Sequence, residues 1–150
     1  MYDKTVTLFS RKSDGSDIVW YATVIPKTSF NVNVAEMTGG NAREYTTDVA
    51  KWVIRVKPDA NGDIFINGKQ YLLPNAWNAT DEPTSFFSLK SGLDFDFFVL
   101  GDYEEFDGVS DLSYMPNGFY QYMRKTYDHV YAIQAVALYT VLPHFEIGGK

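Results

Sequence analysis

Asn67-Gly68 stands between two short runs of alternating apolar residues, Asp63–Ile66 and Lys69–Leu73. A type I′ turn needs positive φ at both central positions, and Asn-Gly adopts it at least cost. The dipeptide therefore commits this stretch to an antiparallel hairpin. The same period of two recurs along most of the chain, and a helix cannot gather that pattern onto one face. Lys4–Phe9 and Asp17–Ile25 read as two strands around the turn Ser13-Asp14-Gly15-Ser16. Pro26 punctuates, and Ser29–Val34 reads as a third strand. Val49–Val56 is a fourth, ended by the turn residues Pro58 to Gly62. Ser85–Leu89 and Asp94–Leu100 read as strands around Lys90-Ser91-Gly92. His129–Val141 and His144–Ile147 complete the set, separated by Pro143.

Gly118–Tyr127 takes a helical spacing instead. Its apolar and aromatic residues at 119, 120, 122 and 123, followed by Arg124 and Lys125, predict a short helix with cations near its C-terminal end. Three long segments, Ala35–Thr47, Pro74–Thr84 and Gly101–Asn117, read as loops. The expectation is a mainly β chain: a small β-barrel or sandwich of about seven to nine short strands with one short helix near the C-terminus. Closure would hide the strand edges. A chain of 150 residues suits a single domain, residues 1–150, around one core. The 11 Tyr, 11 Phe and 3 Trp fit both a β-rich core and an interface.

Charge and composition narrow the chemistry. With 13 basic and 19 acidic residues the net charge is −6, and the densest basic set is only Lys51, Arg55 and Lys57. Tight binding to nucleic acid through phosphates is disfavoured, whereas an acidic surface past which DNA slides is compatible. The absence of cysteine removes disulfide scaffolds, zinc–thiolate sites and thiol catalysis. The first nine residues lack a signal-peptide apolar stretch and no segment approaches a membrane span, so folding in a cytoplasm is expected.

No catalytic, cofactor or metal signature stands out. His129 and His144, the two histidines, match no ligand spacing and read as hydrogen-bonded or exposed residues. Asp94, Asp96, Asp102, Glu104, Glu105 and Asp107 are numerous enough for calcium or for paired acids, but read as a solvated face. Asp59-Ala60-Asn61-Gly62-Asp63 starts like a calcium loop, then departs at Ile64 and Gln70, and reads as a turn. There is no Gly-x-Ser-x-Gly and no phosphate-binding glycine loop. Trp20 and Trp52 lie in strand patterns and are expected in the core. Trp77, in a loop, is the tryptophan expected at the surface.

Several segments belong together: the opening Met1-Tyr2-Asp3-Lys4-Thr5-Val6-Thr7-Leu8-Phe9; Trp20-Tyr21; Phe86-Phe87-Ser88-Leu89 with Gly92; and Phe97-Phe98-Val99-Leu100-Gly101. The ending adds Gly118-Phe119-Tyr120-Gln121-Tyr122-Met123, Tyr127-Asp128, Tyr131-Ala132-Ile133 and Pro143-His144-Phe145-Glu146-Ile147. Together these segments resemble small head-completion proteins of siphophages and prophages of Gram-positive bacteria, the head–tail connector or minor capsid proteins. Ala35–Thr47 and Asp102–Asn117 depart from the pattern.

The resemblance implies a non-catalytic β-barrel protomer, assembled in the host bacterial cytoplasm into a homo-oligomeric ring of the virion neck. Such a stopper ring lies between the portal or an adaptor and the tail terminator or tail tube. It helps retain packaged DNA, docks the tail, and lets double-stranded DNA pass without sequence-specific binding. A tail terminator or another neck component is the alternative within this class. Loops carry function on such a scaffold. The expected interaction residues are Met37, Gly39, Gly40, Asn41, Arg43 and Glu44 in the first long loop, Trp77 in the second, and Asp102, Glu104, Glu105 and Asp107 in the third. No cofactor, metal or membrane is expected. Two readings of other classes remain: a carbohydrate-binding module using Trp77, and a small hydrolase pairing the acidic loop with His129 or His144.

Overall fold

A computed structural model describes residues 1–35 and 47–150. Its strands are β1 (Lys4–Asp14), β2 (Asp17–Ala35), β3 (Thr47–Arg55), β4 (Phe65–Ile66), β5 (Lys69–Tyr71), β6 (Phe86–Phe87), β7 (Phe97–Leu100), β8 (Val109–Ser110), β9 (Val130–Tyr139) and β10 (His144–Gly149). Two short helices, α1 (Pro74–Ala79) and α2 (Phe119–Thr126), interrupt them.

Six antiparallel strands close on themselves in the order β1-β7-β9-β10-β3-β2, with β2 returning to β1; β8 adds to the outer edge of β2 as an extra strand. The expected small barrel with a late short helix is therefore what forms. A separate three-stranded sheet, β4-β5-β6, carries the Asn-Gly hairpin. Asn67 and Gly68 have φ of 51° and 82°, as the type I′ turn requires. The Asn67 side-chain amide also donates to the Val24 carbonyl at 2.9 Å, fastening the hairpin to β2.

Pro26 does not end a strand. Asp17–Ile25 and Ser29–Val34 belong to one strand of 19 residues. Opposite Lys4 to Val6, β2 runs from Thr28 to Ile25, one residue more than its partner, with Lys27 at φ 57°. This is a β-bulge, one of the few places inside a sheet where a proline can sit. The bend lets β2 pair with β1 over its first part and with β3 over Ser29–Ala35.

Length alone suggested one core; the packing has two layers that share strands. Inside the barrel, Val6, Leu8, Ile25, Trp52, Ile54, Phe98, Ile133, Phe145 and Ile147 pack together. Outside it, Phe9, Trp20, Phe97, Val99, Phe119 and Met123 form a second cluster beneath α2. Neighbouring residues of β1 and β7 point to opposite faces, so Leu8 and Phe98 fill the barrel while Phe9 and Phe97 fill the outer layer. Both faces of these two strands are buried. Trp20 and Trp52 lie in the core as expected.

Closure is incomplete at two places. β7 accompanies β9 only from Val130 to Ala132, with flanking bonds from the Ile133 N–H to the Asp96 carbonyl and from the Leu100 N–H to the His129 carbonyl. Beyond that, Gln134–Tyr139 has β10 on one side and, among the described residues, no strand on the other. β1 likewise stops at Lys4, opposite Thr28, leaving Ser29–Ala35 of β2 with β3 as sole strand partner among the described residues.

Candidate functional site

The acidic segment after β7 is a strap bound along β2. The Gly108 N–H donates to the Trp20 carbonyl at 2.8 Å, and the Ala22 N–H donates to the Asp107 carboxylate at 2.8 Å. Asp111 accepts from the Trp20 indole N–H at 3.0 Å and from the Phe119 N–H at 2.8 Å. The Ser110 hydroxyl donates to Asp17 at 2.5 Å, and this bond holds the Asp17 carboxyl below its usual range. Asp107 and Asp111 thus satisfy the unpaired outer edge of β2 and the N-terminus of α2. Asp102, Glu104 and Glu105 face water and give the strap its negative outer surface.

Trp77 is not a surface residue. Pro74 starts α1, and Trp77, its fourth residue, is wholly buried, with its indole N–H donating to the Arg11 carbonyl at 2.8 Å. The same carbonyl accepts from Lys90 Nζ at 2.9 Å, and the ammonium lies 5.3 Å from the Trp77 ring centroid. Sequence reasoning placed Trp77 in a loop because a six-residue helix leaves too few turns for a periodic signal. Buried in this way, it offers no face to a sugar ring.

Asp96 is a second correction: it is fully buried, not on a solvated face. Its carboxylate accepts from the Arg11 N–H (2.7 Å), the Ser88 hydroxyl (2.8 Å), the Lys90 N–H (2.8 Å) and Lys90 Nζ (2.7 Å). Loss of water pushes the Asp96 carboxyl up to about 6, partly opposed by Lys90, and burial lowers the Lys90 ammonium. Lys90 is correspondingly buried and not an exposed turn residue. Asp94, two residues earlier, is exposed and pairs with Arg11 at 3.1 Å. This cluster joins β1, α1 and β7, and its four donors to one carboxylate describe a structural pin.

The two histidines lie at opposite ends of β9. Tyr139 pairs with His144, while His129 precedes Val130, so about ten strand residues, roughly 30 Å, separate them. His129 borders an open groove of about 750 Å³ with Tyr120, Arg124, Asp128 and Lys150, and its Nδ1 lies 3.2 Å from the Tyr131 hydroxyl. His144 bridges the Leu142 carbonyl (2.7 Å) and the Glu146 carboxylate (2.9 Å), contacts that raise its pKa and lower that of Glu146. Neither histidine meets the acidic strap in a hydrogen bond. Among the described residues no three His, Asp or Glu side chains are grouped to hold a metal ion. The Asp59 turn is closed by its own carboxylate, which accepts from the Asn61 and Asp63 N–H groups.

The β9–β10 hairpin end is the surface that sequence reasoning missed. Leu138 and Tyr139 are 42% and 46% exposed, and Val141 and Leu142 are 85% and 84% exposed. From Ile133 to Pro143 the chain carries no charged residue. The signal lies in that run, but a strand pattern does not say which of its residues another surface covers. Met37, Gly39, Gly40, Asn41, Arg43 and Glu44 lie outside the described residues.

Among the described residues no helix is long and apolar enough to cross a membrane. No curated protein and no solved structure matches the chain. A family model matches the chain over residues 1–150. The chain thus belongs to the family of unknown function DUF6751.

Proposed function

We propose that this chain is a structural protein of a tailed-phage neck, forming a homo-oligomeric ring between portal and tail that completes the head, helps retain DNA and docks the tail. The observation that supports it most is the combination of a closed barrel with an uncharged, apolar hairpin end left in water. An isolated soluble chain gains nothing from Val141 and Leu142 in solvent; a protomer that assembles buries them. The acidic strap, with Asp102, Glu104 and Glu105 outward, suits a surface past which DNA moves without sticking. The opening and closing segments of the chain carry the sequence resemblance to such proteins. Their β1, β9 and β10 build the barrel wall.

The test is made on particles. Deleting residues 36–46 is expected to leave a folded barrel by circular dichroism while heads fail to join tails and lose DNA. Gold label on a C-terminal tag should decorate the neck. Normal joining and DNA retention without that segment, or label found only on free protein, overturns the reading. Label at the tail-proximal side of the neck would assign the terminator role within the same class.

A further inference from the structure

We propose that the edge of β9 over Gln134–Tyr139, which has no second strand beside it among the described residues, is a strand-addition surface, occupied in the assembly by the corresponding edge of β2, Ser29–Ala35, of a second copy of this chain. A strand with one neighbour presents a row of unpaired N–H and C=O groups, which a further extended strand satisfies. Chains usually guard such an edge with lysine, proline or an inward charge. Here the guard is missing: Ile133–Pro143 has no charged side chain, and its one proline comes after the edge has ended. The flank is mixed: Val136 lines an open groove with Pro74, Leu89 and the 99% exposed Leu93, beside Asn78, Lys90, Ser91 and Asp94. An added strand would lie over the apolar part of this floor.

Charge selects the occupant. The chain carries a net charge of −6, so two copies repel over most approaches. Ser29–Ala35 has no charged residue either, and its seven residues are long enough to cover the six of the β9 edge. Two neutral edges of one acidic chain can meet where its other surfaces cannot. They are two different edges on one protomer, so their pairing is head-to-tail, the arrangement that closes into a ring. The inference takes from the proposed function only that copies of this chain meet one another.

The full chain is followed by native mass spectrometry, light scattering and amide hydrogen exchange, dilute and concentrated. Expected are oligomers larger than a dimer in which amides of both 134–139 and 29–35 exchange at least about tenfold more slowly. Ala137→Lys places a charge on the exposed edge and should raise the concentration needed for assembly by at least about tenfold, with an unchanged circular dichroism spectrum and melting temperature. Ala137→Ser, at the same place without charge, should assemble normally. Oligomers indifferent to Ala137→Lys, or protected elsewhere, overturn the inference and leave the ring reading standing. A dimer protected only at 134–139, a monomer at every concentration, or protection only when a different protein is added, overturns it as well. Edge-paired oligomers absent from the necks of labelled particles would instead remove the phage reading and leave the inference intact.

Discussion

Asp96 shows what one residue can be asked to do in a small barrel. A buried carboxylate facing a buried ammonium is costly to leave half-made: removing one partner strands the other charge, at about 3–5 kcal/mol. Asp96→Asn is therefore expected to destabilise the fold by about that amount in urea denaturation at pH 7, and the apolar pair Asp96→Leu with Lys90→Met should recover most of the loss. The pH dependence has a sign that checks the burial argument. Because the folded carboxyl titrates at about 6, above its ordinary 3.8, it holds a proton where the unfolded chain does not. Its contribution is full below about pH 4 and is lost as pH rises through 6. The stability of the natural chain minus that of the apolar pair should fall across this window. A flat difference would mean that water reaches the site. Trp77 makes the same point for packing: Trp77→Ala should cost about 3–5 kcal/mol, the penalty of emptying a large core site, as measured by denaturation. A change near zero would return it to the surface. Neither burial was legible in the sequence. Period-two reasoning gives the face a strand residue takes, but Asp96 sits before β7; Arg11 reaches it from β1, distant in the chain, and Ser88 and Lys90 from across an irregular turn.

Elements were read best where local chemistry decides them. The Asn-Gly hairpin, the Asp59 turn and α2 follow from residues within a few positions of one another. Bulges did not follow, because a bulge is a mismatch between two strands and belongs to neither alone. Pro26 therefore looked like an end of β2. The second bulge sits where Gly149 faces Ile133 and Gly148 faces Ala135, so that β9 uses one residue more than β10. Gly149 is required there by space. A Cβ on it would come within 2.5 Å of the Phe98 ring and 2.8 Å of Tyr131 Cβ, both in the barrel interior. Gly149→Ala is expected to cost about 1–3 kcal/mol, the range for overpacking a filled core, while Gly148→Ala, whose Cβ would meet only the Ala135 methyl at 4.0 Å, should be far milder. Thermal denaturation of the pair of variants separates the two sites. Equal effects would show that the β9–β10 register adjusts freely, and the free edge of β9 would then have no fixed position from which to accept a strand.

At the scale of the whole molecule, the two apolar layers raise the question of whether the outer one can leave on its own. The acidic strap and α2 close over Phe9, Trp20, Phe97 and Phe119, while the barrel holds Trp52 against Phe98 with ring centroids 4.9 Å apart. If the layers were independent, α2 and the strap would peel away first and a smaller barrel would persist. The shared strands argue against that. Releasing the outer layer would expose the outer faces of β1 and β7 together, including three fully buried side chains, Phe9, Phe97 and Val99. At about 1.5–3 kcal/mol for each large apolar side chain returned to water, this consumes most of the stability a domain of this size ordinarily has. The barrel should therefore not outlive its cover. The tryptophans are placed to report it, since Trp20 lies in the outer layer and Trp52 inside the barrel. In versions keeping only one of them, with phenylalanine at the other two tryptophan positions, the fluorescence midpoint in urea should coincide with the far-ultraviolet circular dichroism midpoint of that same version. A Trp20-only chain whose fluorescence changes well before its dichroism would show the strap and α2 acting as a separate cover. The surface open to assembly would then include the outer faces of β1 and β7 as well as the strand edges.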